Sequence, residues 1–206
     1  MKKILLSAIA VVALGTAAKA QDMKFGVKAG VNISTYGGDI KDRDSRAGAH
    51  VGVLAEFKLT ENFAIQPEVV FSMQGADRKF TEGTTVTEDE QRLNYLNIPI
   101  AAKYYITEGL SVQAGPQIGF LLSAKQEGTE TSPGASVDYS NDNKDAYESV
   151  DFSVFGGLGY DLPMGVFFQA RYAAGLSNIL KDANVGDSSD FKVQNNVFSV
   201  SVGYKF

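Results

Sequence analysis

His50 is the most chemically versatile side chain in this 206-residue chain, because it is the only histidine and there are no cysteines. A hydrolase acting on lipid would need a histidine, a serine and an acid close together, with the serine activated by the histidine. Serines are plentiful, but no nucleophile motif accompanies His50. One histidine without cysteine also offers too few ligands for a transition-metal site. We therefore predict a non-enzymatic chain without cofactor or metal, and keep a lipid-modifying enzyme as the third-ranked alternative.

Charged side chains recur in segments that alternate between apolar and polar residues. Such a period of two predicts β-strands with one apolar face and one polar face. Eight segments follow this pattern, namely 24–34, 47–59, 63–74, 93–106, 110–123, 149–162, 166–176 and 196–206. The charged residues on their polar faces are Lys28, Glu56, Lys58, Glu68, Lys103, Asp151, Arg171 and Lys205. A sheet with faces of opposite polarity must therefore position these charges.

The connections between the eight segments alternate in length. Three are short turns, at 60–62, 107–109 and 163–165. The other four are long and polar, and they cover 35–46, 75–92, 124–148 and 177–193. Short turns at one end and long loops at the other are typical of bacterial outer-membrane barrels. The fold class predicted is all-β, an eight-stranded antiparallel up-and-down transmembrane β-barrel with short periplasmic turns and long extracellular loops.

The main alternative fold is a soluble eight-stranded barrel such as a lipocalin, whose strands also alternate. The polar face of a soluble barrel is its outside, and it would carry many more lysines and glutamates. Here the polar face is rich in Gly, Ser, Asn and Gln, which suits a narrow and crowded interior. The apolar face is then left for lipid, so the composition of the polar face favours the membrane barrel.

The N-terminus has the pattern of a secretory signal peptide. Two lysines precede the apolar run 4–14, and Ala18-Lys19-Ala20 is an A-x-A cleavage pattern. The apolar run is too short to cross a bilayer, which takes about 20 residues. We predict a cleaved signal peptide at 1–20 and an outer-membrane β-barrel domain at 21–206. Loss of three lysines would leave 16 basic and 24 acidic residues, a net charge of −8 that argues against nucleic acid as a partner.

An eight-stranded barrel has an interior filled by side chains instead of an aqueous channel. The eight charges named above would lie in that interior, and buried charges must pair and hydrogen-bond to be tolerated. We predict an internal salt-bridge network that fills and stiffens the barrel. A narrow ion path through the same charges is the alternative.

The C-terminal strand ends on Phe206, and Phe198, Val200, Val202 and Tyr204 precede it at alternate positions. A terminal aromatic residue on such a strand resembles the signal that barrel-assembly machinery reads in outer-membrane proteins. We therefore predict that Phe206 is an assembly signal. Phe and Tyr concentrate near strand ends, as interfacial aromatic girdles require.

Three prolines fall inside predicted strands, at Pro67, Pro99 and Pro116. Proline cannot donate a backbone hydrogen bond, and a closed barrel has no free edge where this is harmless. Local β-bulges are the accommodation that we expect at these positions.

Several motifs make the chain resemble a known family. They are Tyr95–Tyr104 (YLNIPIAAKY), 114–119 (AGPQIG), 171–179 (RYAAGLSNI) and 26–32 (GVKAGVN). The chain resembles the PorT-like, or "porin family", outer-membrane β-barrel domain proteins of Gram-negative bacteria, and the resemblance covers essentially the whole chain after residue 20. It implies the fold, while the word "porin" there does not establish transport. A role in a secretion apparatus is implied for some members only.

The sequence thus predicts an integral protein of the cell outer membrane, with a structural or surface-binding role through its long loops. A small-solute pore is the second-ranked alternative. Expected partners are outer-membrane lipids and lipopolysaccharide, the barrel-assembly machinery and surface or secretion-apparatus proteins. Acidic loop residues such as Asp138 and Asp142 lack EF-hand spacing. Solvation explains them, with weak divalent-cation bridging to lipopolysaccharide as the alternative.

Overall fold

The computed structural model describes residues 23–39, 44–181 and 192–206, so the predicted signal peptide lies outside the described residues. The described chain is built from antiparallel β-strands. They are β1 (Met23–Gly38), β2 (Asp44–Lys58), β3 (Phe63–Glu82), β4 (Thr85–Tyr105), β5 (Leu110–Ser132), β6 (Ala135–Asp142), β7 (Val150–Asp161), β8 (Val166–Gly175) and β9 (Val193–Lys205). A short 3-10 turn, Lys144–Ala146, precedes β7. No helix in these ranges is long and apolar enough to cross a membrane.

Eight of the strands close into a ring. Each pairs with its neighbour along the chain, β5 pairs with β7, and β1 pairs with β9 to complete the circle. β6 is the exception, because within the described residues it pairs only with the outer part of β5. The predicted eight-stranded antiparallel barrel is confirmed, with β6 as a ninth strand outside the ring.

Two strand pairs continue well beyond the predicted segment ends. β3 and β4 remain paired up to Glu82 and Thr85, and β5 and β6 up to Ser132 and Ala135. The polar stretches 75–92 and 124–148 are therefore mostly paired strand, where the sequence predicted loops. Each hairpin reverses at a glycine with positive φ, Gly83 (62°) and Gly134 (90°), a conformation that a residue with a Cβ rarely adopts. Tight turns of this kind let long hairpins form without a loop.

Alternation along each strand separates lipid-facing from interior residues. The outward residues are apolar and exposed, such as Val31 (60%) and Val53 (54%), as expected for a surface covered by acyl chains. Five exposed aromatic residues on this outer face lie at the end of the barrel that carries the short turns, which we call the turn end. They are Phe25, Tyr104, Tyr160, Phe168 and Tyr204, and Phe152, Tyr172 and Phe198 lie on the same face farther from that end. The arrangement matches the interfacial girdle that the sequence predicted.

The prolines interrupt the strand pairing without shifting it. Pro67 pairs with Ile100, Pro99 with Gln117 and Pro116 with Val154, each in the same register as the residues around it. Register shifts occur elsewhere, between Ser45 and His50 against β3 and between Asn94 and Tyr95 against β5. The prediction of bulges at the prolines was therefore wrong. A single missing N–H removes one hydrogen bond, and the neighbouring pairs suffice to hold the register.

An apolar cluster fills the lumen at the opposite end, which we call the hairpin end. Tyr147 before β7 and Leu180 after β8 form an isolated β-bridge, which holds the two connecting segments together. Tyr147 and Ile179 pack there against lumen-facing strand residues, and we call this cluster the outer plug. Its other buried members are Tyr36, Ala76, Leu93, Tyr95, Leu121, Ala124 and Val193. The hairpin-end mouth is thus closed by side chains.

Candidate functional site

A buried three-charge cluster lies in the middle of the lumen. Glu68 on β3 receives two hydrogen bonds from the Arg171 guanidinium, at 3.0 and 2.5 Å, and an ion pair from Lys28 Nζ at 2.6 Å. Gln66 donates to the same carboxylate at 2.6 Å, and Arg171 also donates to Gln113 at 2.8 Å. We call Lys28, Glu68 and Arg171 the mid-lumen cluster. All three side chains are less than one-tenth exposed, so solvent screens their charges little.

A second cluster closes the turn end of the lumen. Glu56 Oε2 accepts from Lys103 Nζ at 2.8 Å and from Lys205 Nζ at 2.7 Å, and Asp161 accepts from Lys205 at 2.6 Å. The Tyr105 hydroxyl lies 2.8 Å from both Glu56 Oε2 and Asp161 Oδ2, and its single proton is donated to one of the two carboxylates at a time. We call these five residues the turn-end cluster. Its two lysines and two carboxylates balance in charge. Most of their buried hydrogen-bonding capacity is used within the cluster.

The structure brings six of the eight predicted lumen charges into these two clusters. Lys58 lies at the turn end, with its Nζ 4.9 Å from the centre of the Tyr105 ring. Asp151 lies towards the hairpin end, where its carboxylate accepts from the Ser177 hydroxyl at 2.6 Å. Neither forms an ion pair within the described residues. The predicted single network is therefore two separate clusters plus two outlying charges.

Two members of the turn-end cluster were missed by the sequence reasoning. Asp161 is on the polar face of its segment, but it is the last strand residue before a turn. Its position in the sequence therefore predicts a solvent-exposed side chain. Tyr105 occupies a polar position of β4, directly beside the lipid-facing Tyr104. A Tyr at a polar position two residues after a lumen lysine was the available signal, because a buried phenol seeks a hydrogen-bond partner.

His50 lies in the lumen between two partners. Its Nδ1 is 2.8 Å from Asn32 Oδ1, and its Nε2 is 2.7 Å from Ser201 Oγ. Asn32 Nδ2 donates to Ser72 Oγ at 2.8 Å and to the Met73 carbonyl at 3.1 Å, which fixes Oδ1 towards the imidazole. Nδ1 must then carry the proton, and Nε2 can accept from the serine hydroxyl. The connectivity is that of a Ser-His-Asn relay.

The surroundings of this relay decide what it can do. A cavity of about 40 Å³ lies beside it, lined among others by Asn32, His50 and Ser72. That volume holds only a few water-sized groups, at about 10–15 Å³ each, and no acyl chain. The outer plug and the turn-end cluster close the lumen on either side. The relay can therefore link three strands by hydrogen bonds, but it offers no room for a lipid substrate.

The two extended hairpins form a four-stranded sheet that projects beyond the barrel. We define this outer sheet as residues 76–93 of β3 and β4 together with 124–142 of β5 and β6. Its strands carry nine acidic and four basic side chains. A groove of about 500 Å³ runs along β4, β5 and β6. The residues that line it are Glu88, Glu90, Arg92, Glu127, Gly128, Thr129, Asp138, Tyr139 and Ser140.

Ion pairs organise the acidic groups of the outer sheet. Arg92 bonds to Glu90 at 2.7 Å and to Glu127 at 2.6 Å, and Arg46 contacts both Asp77 and Glu90. Hydrogen bonding from Arg92 lowers the pKa of Glu90, whereas burial raises the pKa of Asp77. Arg92 is the only cation among the residues that line the groove, against four acids, although Arg46 and Lys79 pair with Glu90 and Glu88 from outside the lining, so the lining itself is net negative. Within the described residues no cluster of His, Cys, Asp or Glu is suited to hold a metal ion.

Comparison with known proteins defines the class. The family model described as "Outer membrane protein beta-barrel domain" matches residues 19–181. The chain belongs to this outer-membrane β-barrel family and is accordingly a protein of the cell outer membrane. No curated protein matches its sequence.

Solved structures show the same fold at low sequence identity. Ail, the attachment invasion locus protein of Yersinia pestis, is 15% identical with a TM-score of 0.50, over 90% of this chain and all of Ail. Neisserial surface protein A is 12% identical with a TM-score of 0.50, over 88% of this chain and 97% of the other. At such identities the similarity concerns the barrel fold alone.

Proposed function

We propose that this protein is a non-enzymatic barrel that anchors a binding surface, the outer sheet, at the outside of the cell. One observation carries the proposal: β3, β4 and β5 continue from the barrel wall into a sheet with an acidic groove, and β6 adds a fourth strand to it. Flexible loops would need no such framework, because solvation alone keeps a polar loop exposed. A paired sheet fixed to a closed barrel is pre-organised, which lowers the entropy cost of binding a partner.

The proposed partner is an extended, basic protein segment on the cell surface or in a secretion apparatus. The outer edge of β6 has no paired strand within the described residues, so its backbone groups can bond to an added strand. Asp138 lies on this edge strand, and Glu127 and Glu88 line the groove on the two strands behind it, so the lining favours positive charge. Lipopolysaccharide is a weaker candidate, because its phosphates would be repelled unless divalent cations intervened.

A peptide titration tests this surface. The probe is an alternating Lys-Thr peptide of about eight residues, one strand in length, titrated onto the barrel in lipid nanodiscs and followed by fluorescence anisotropy. The double variant Glu127→Gln/Asp138→Asn is expected to bind about tenfold more weakly, because two groove charges are lost. Glu82→Gln removes one acid at the hairpin tip outside the groove and is expected to leave the affinity unchanged.

Two further results would count against the proposal. A peptide of the same sequence with N-methylated amides keeps its charge but cannot pair as a strand. Equal binding of both peptides would show simple charge attraction and contradict strand addition at β6. Binding of neither peptide, with binding of lipopolysaccharide vesicles that depends on magnesium, would assign the surface to lipid instead.

The pore alternative has a direct electrical test. The turn-end cluster, the mid-lumen cluster and the outer plug all block the lumen, so wild-type barrel in a planar bilayer is expected to give no reproducible conductance steps. A heat-dependent gel shift first confirms that the sample is folded. Regular steps from folded protein would contradict the closed lumen and favour small-solute transport.

We further propose that the chain falls in the PorT-like group of its family. The support is the set of motifs that carry the resemblance, which lie on β1, β4, β5 and β8 and so span the whole ring. Predicted assembly through Phe206 is part of the same proposal. The Phe206 amide donates to the Phe25 carbonyl at 2.8 Å, and its ring packs edge-on against Tyr204. This terminus remains accessible, since Phe206 is 73% exposed.

A further inference from the structure

The cavity beside His50 is bordered by two cations and no anion. Among the side chains that line its 40 Å³, only Lys28 and Arg171 are charged. Their shared counterion, Glu68, does not line the cavity. The remaining lining groups include several that can donate a hydrogen bond, namely Asn97, Gln117, Ser72 and Ser199. The cavity is thus a small polar space with positive walls.

The charges around the cavity do not balance. The mid-lumen cluster has two cations against one carboxylate, whereas the turn-end cluster is balanced. Asp151, a lumen carboxylate that belongs to neither cluster, does not line the cavity and bonds to Ser177. One positive charge therefore has no buried partner among the described residues. Leaving a buried charge uncompensated costs several kcal/mol, so binding of a counterion beside this charge is strongly favoured.

Unpaired hydrogen-bond donors at the same level of the lumen also favour an anion. Arg171 lines the cavity, and its buried Nε has no hydrogen-bond partner among the described residues. Gln169 Nε2 is also buried and unpaired there, although Gln169 does not line the cavity. Lys28 Nζ contacts Glu68 closely but reaches Gln169 Oε1 only at 3.4 Å, so its third proton is weakly used. Buried donors without acceptors are costly, and an anion accepts from several donors at once.

We propose that the cavity binds one small monovalent anion of the halide class, held by Lys28 and Arg171. Its volume, which holds only a few water-sized groups, has room for one halide ion together with ordered water. The ion neutralises the extra charge of the mid-lumen cluster and so couples barrel stability to halide concentration. This inference is independent of the outer sheet and its partner.

Thermal unfolding measures the coupling. The barrel chain 21–206, refolded in detergent, is heated in sodium chloride or bromide and in sodium gluconate at equal ionic strength, and circular dichroism gives Tm. Halide is expected to raise Tm saturably, by about 3–5 °C, because it binds only the folded state. In Lys28→Met the mid-lumen charges balance without an ion, so the halide dependence is expected to disappear. Lys79→Met removes an exposed lysine of the outer sheet and is expected to keep the wild-type dependence.

A direct measurement covers the case in which Lys28→Met fails to fold. Wild-type crystals grown with bromide are expected to show an anomalous peak in the cavity within contact distance of Lys28 and Arg171. Equal Tm in chloride and gluconate, or the same halide dependence in Lys28→Met, would overturn the proposal. So would a cavity without an anomalous peak, which would mean that water alone fills it.

Discussion

Glu68→Gln is expected to lower the free energy of unfolding by about 3–5 kcal/mol. Glu68 is the only carboxylate in contact with Lys28 and Arg171 among the described residues, and its side chain is fully buried. Glutamine keeps the shape but removes the charge, so the two cations would face each other without a carboxylate between them. The measurement is urea unfolding of the refolded barrel in detergent, followed by circular dichroism and by the heat-dependent gel shift.

A matched control separates the buried cluster from ordinary surface pairing. Glu88→Gln removes the same group from a pair with Lys79 in which both side chains are more than half exposed. Surface pairs of this kind contribute about 0–1 kcal/mol, so that variant is expected to unfold like wild type. The triple variant Glu68→Gln/Lys28→Met/Arg171→Met removes the uncompensated charge and is expected to regain most of the loss. Equal stability of Glu68→Gln and wild type would show that the cluster does not hold the barrel together.

Gly30→Ala is expected to destabilise the barrel by about 1–3 kcal/mol through overpacking, and further through loss of a hydrogen bond. A Cβ at this position would lie 2.0 Å from the Val200 carbonyl oxygen and 2.6 Å from His50 Cε1. The imidazole crosses β1 at Gly30 to reach Ser201 on β9. Alanine would therefore push His50 away and strain the closure between β1 and β9. Urea unfolding measures the change, with the same gel shift to confirm that the ring still closes.

The control for Gly30 is another strand glycine. Gly156 on β7 has no atom within 4 Å of the position that a Cβ would take. Gly156→Ala should leave stability unchanged or raise it by about 0.4–1 kcal/mol, because it only restricts the unfolded chain. If both alanine variants behaved alike, the close approach at Gly30 would not limit the barrel. A stable Gly30→Ala with an intact His50–Ser201 contact would contradict the argument outright.

The period of two determined most of this fold by itself. Each strand presents alternate residues to lipid and to the lumen, so the sequence reveals the number of ring strands, the short turns and the face of each charge. Lys28, Glu68 and Arg171 were placed in the interior on that ground alone. Whether a strand residue faces lipid or the lumen follows from local geometry, and the spacing of residue types along the strand indicates that geometry.

Three features were decided only by tertiary structure. The partner of each charge depends on how strands far apart in the chain are staggered, as for Glu68 on β3 and Arg171 on β8. The spacing of residue types along one strand holds no information on that stagger. The hairpins of the outer sheet have too few apolar residues for the sequence to predict strands there. Backbone pairing with neighbouring strands stabilises them instead. The relay from Asn32 through His50 to Ser201 exists because Gly30 leaves space between strands that meet only when the ring closes. The sequence determined which residues face inwards, and closure of the ring decided which of them meet.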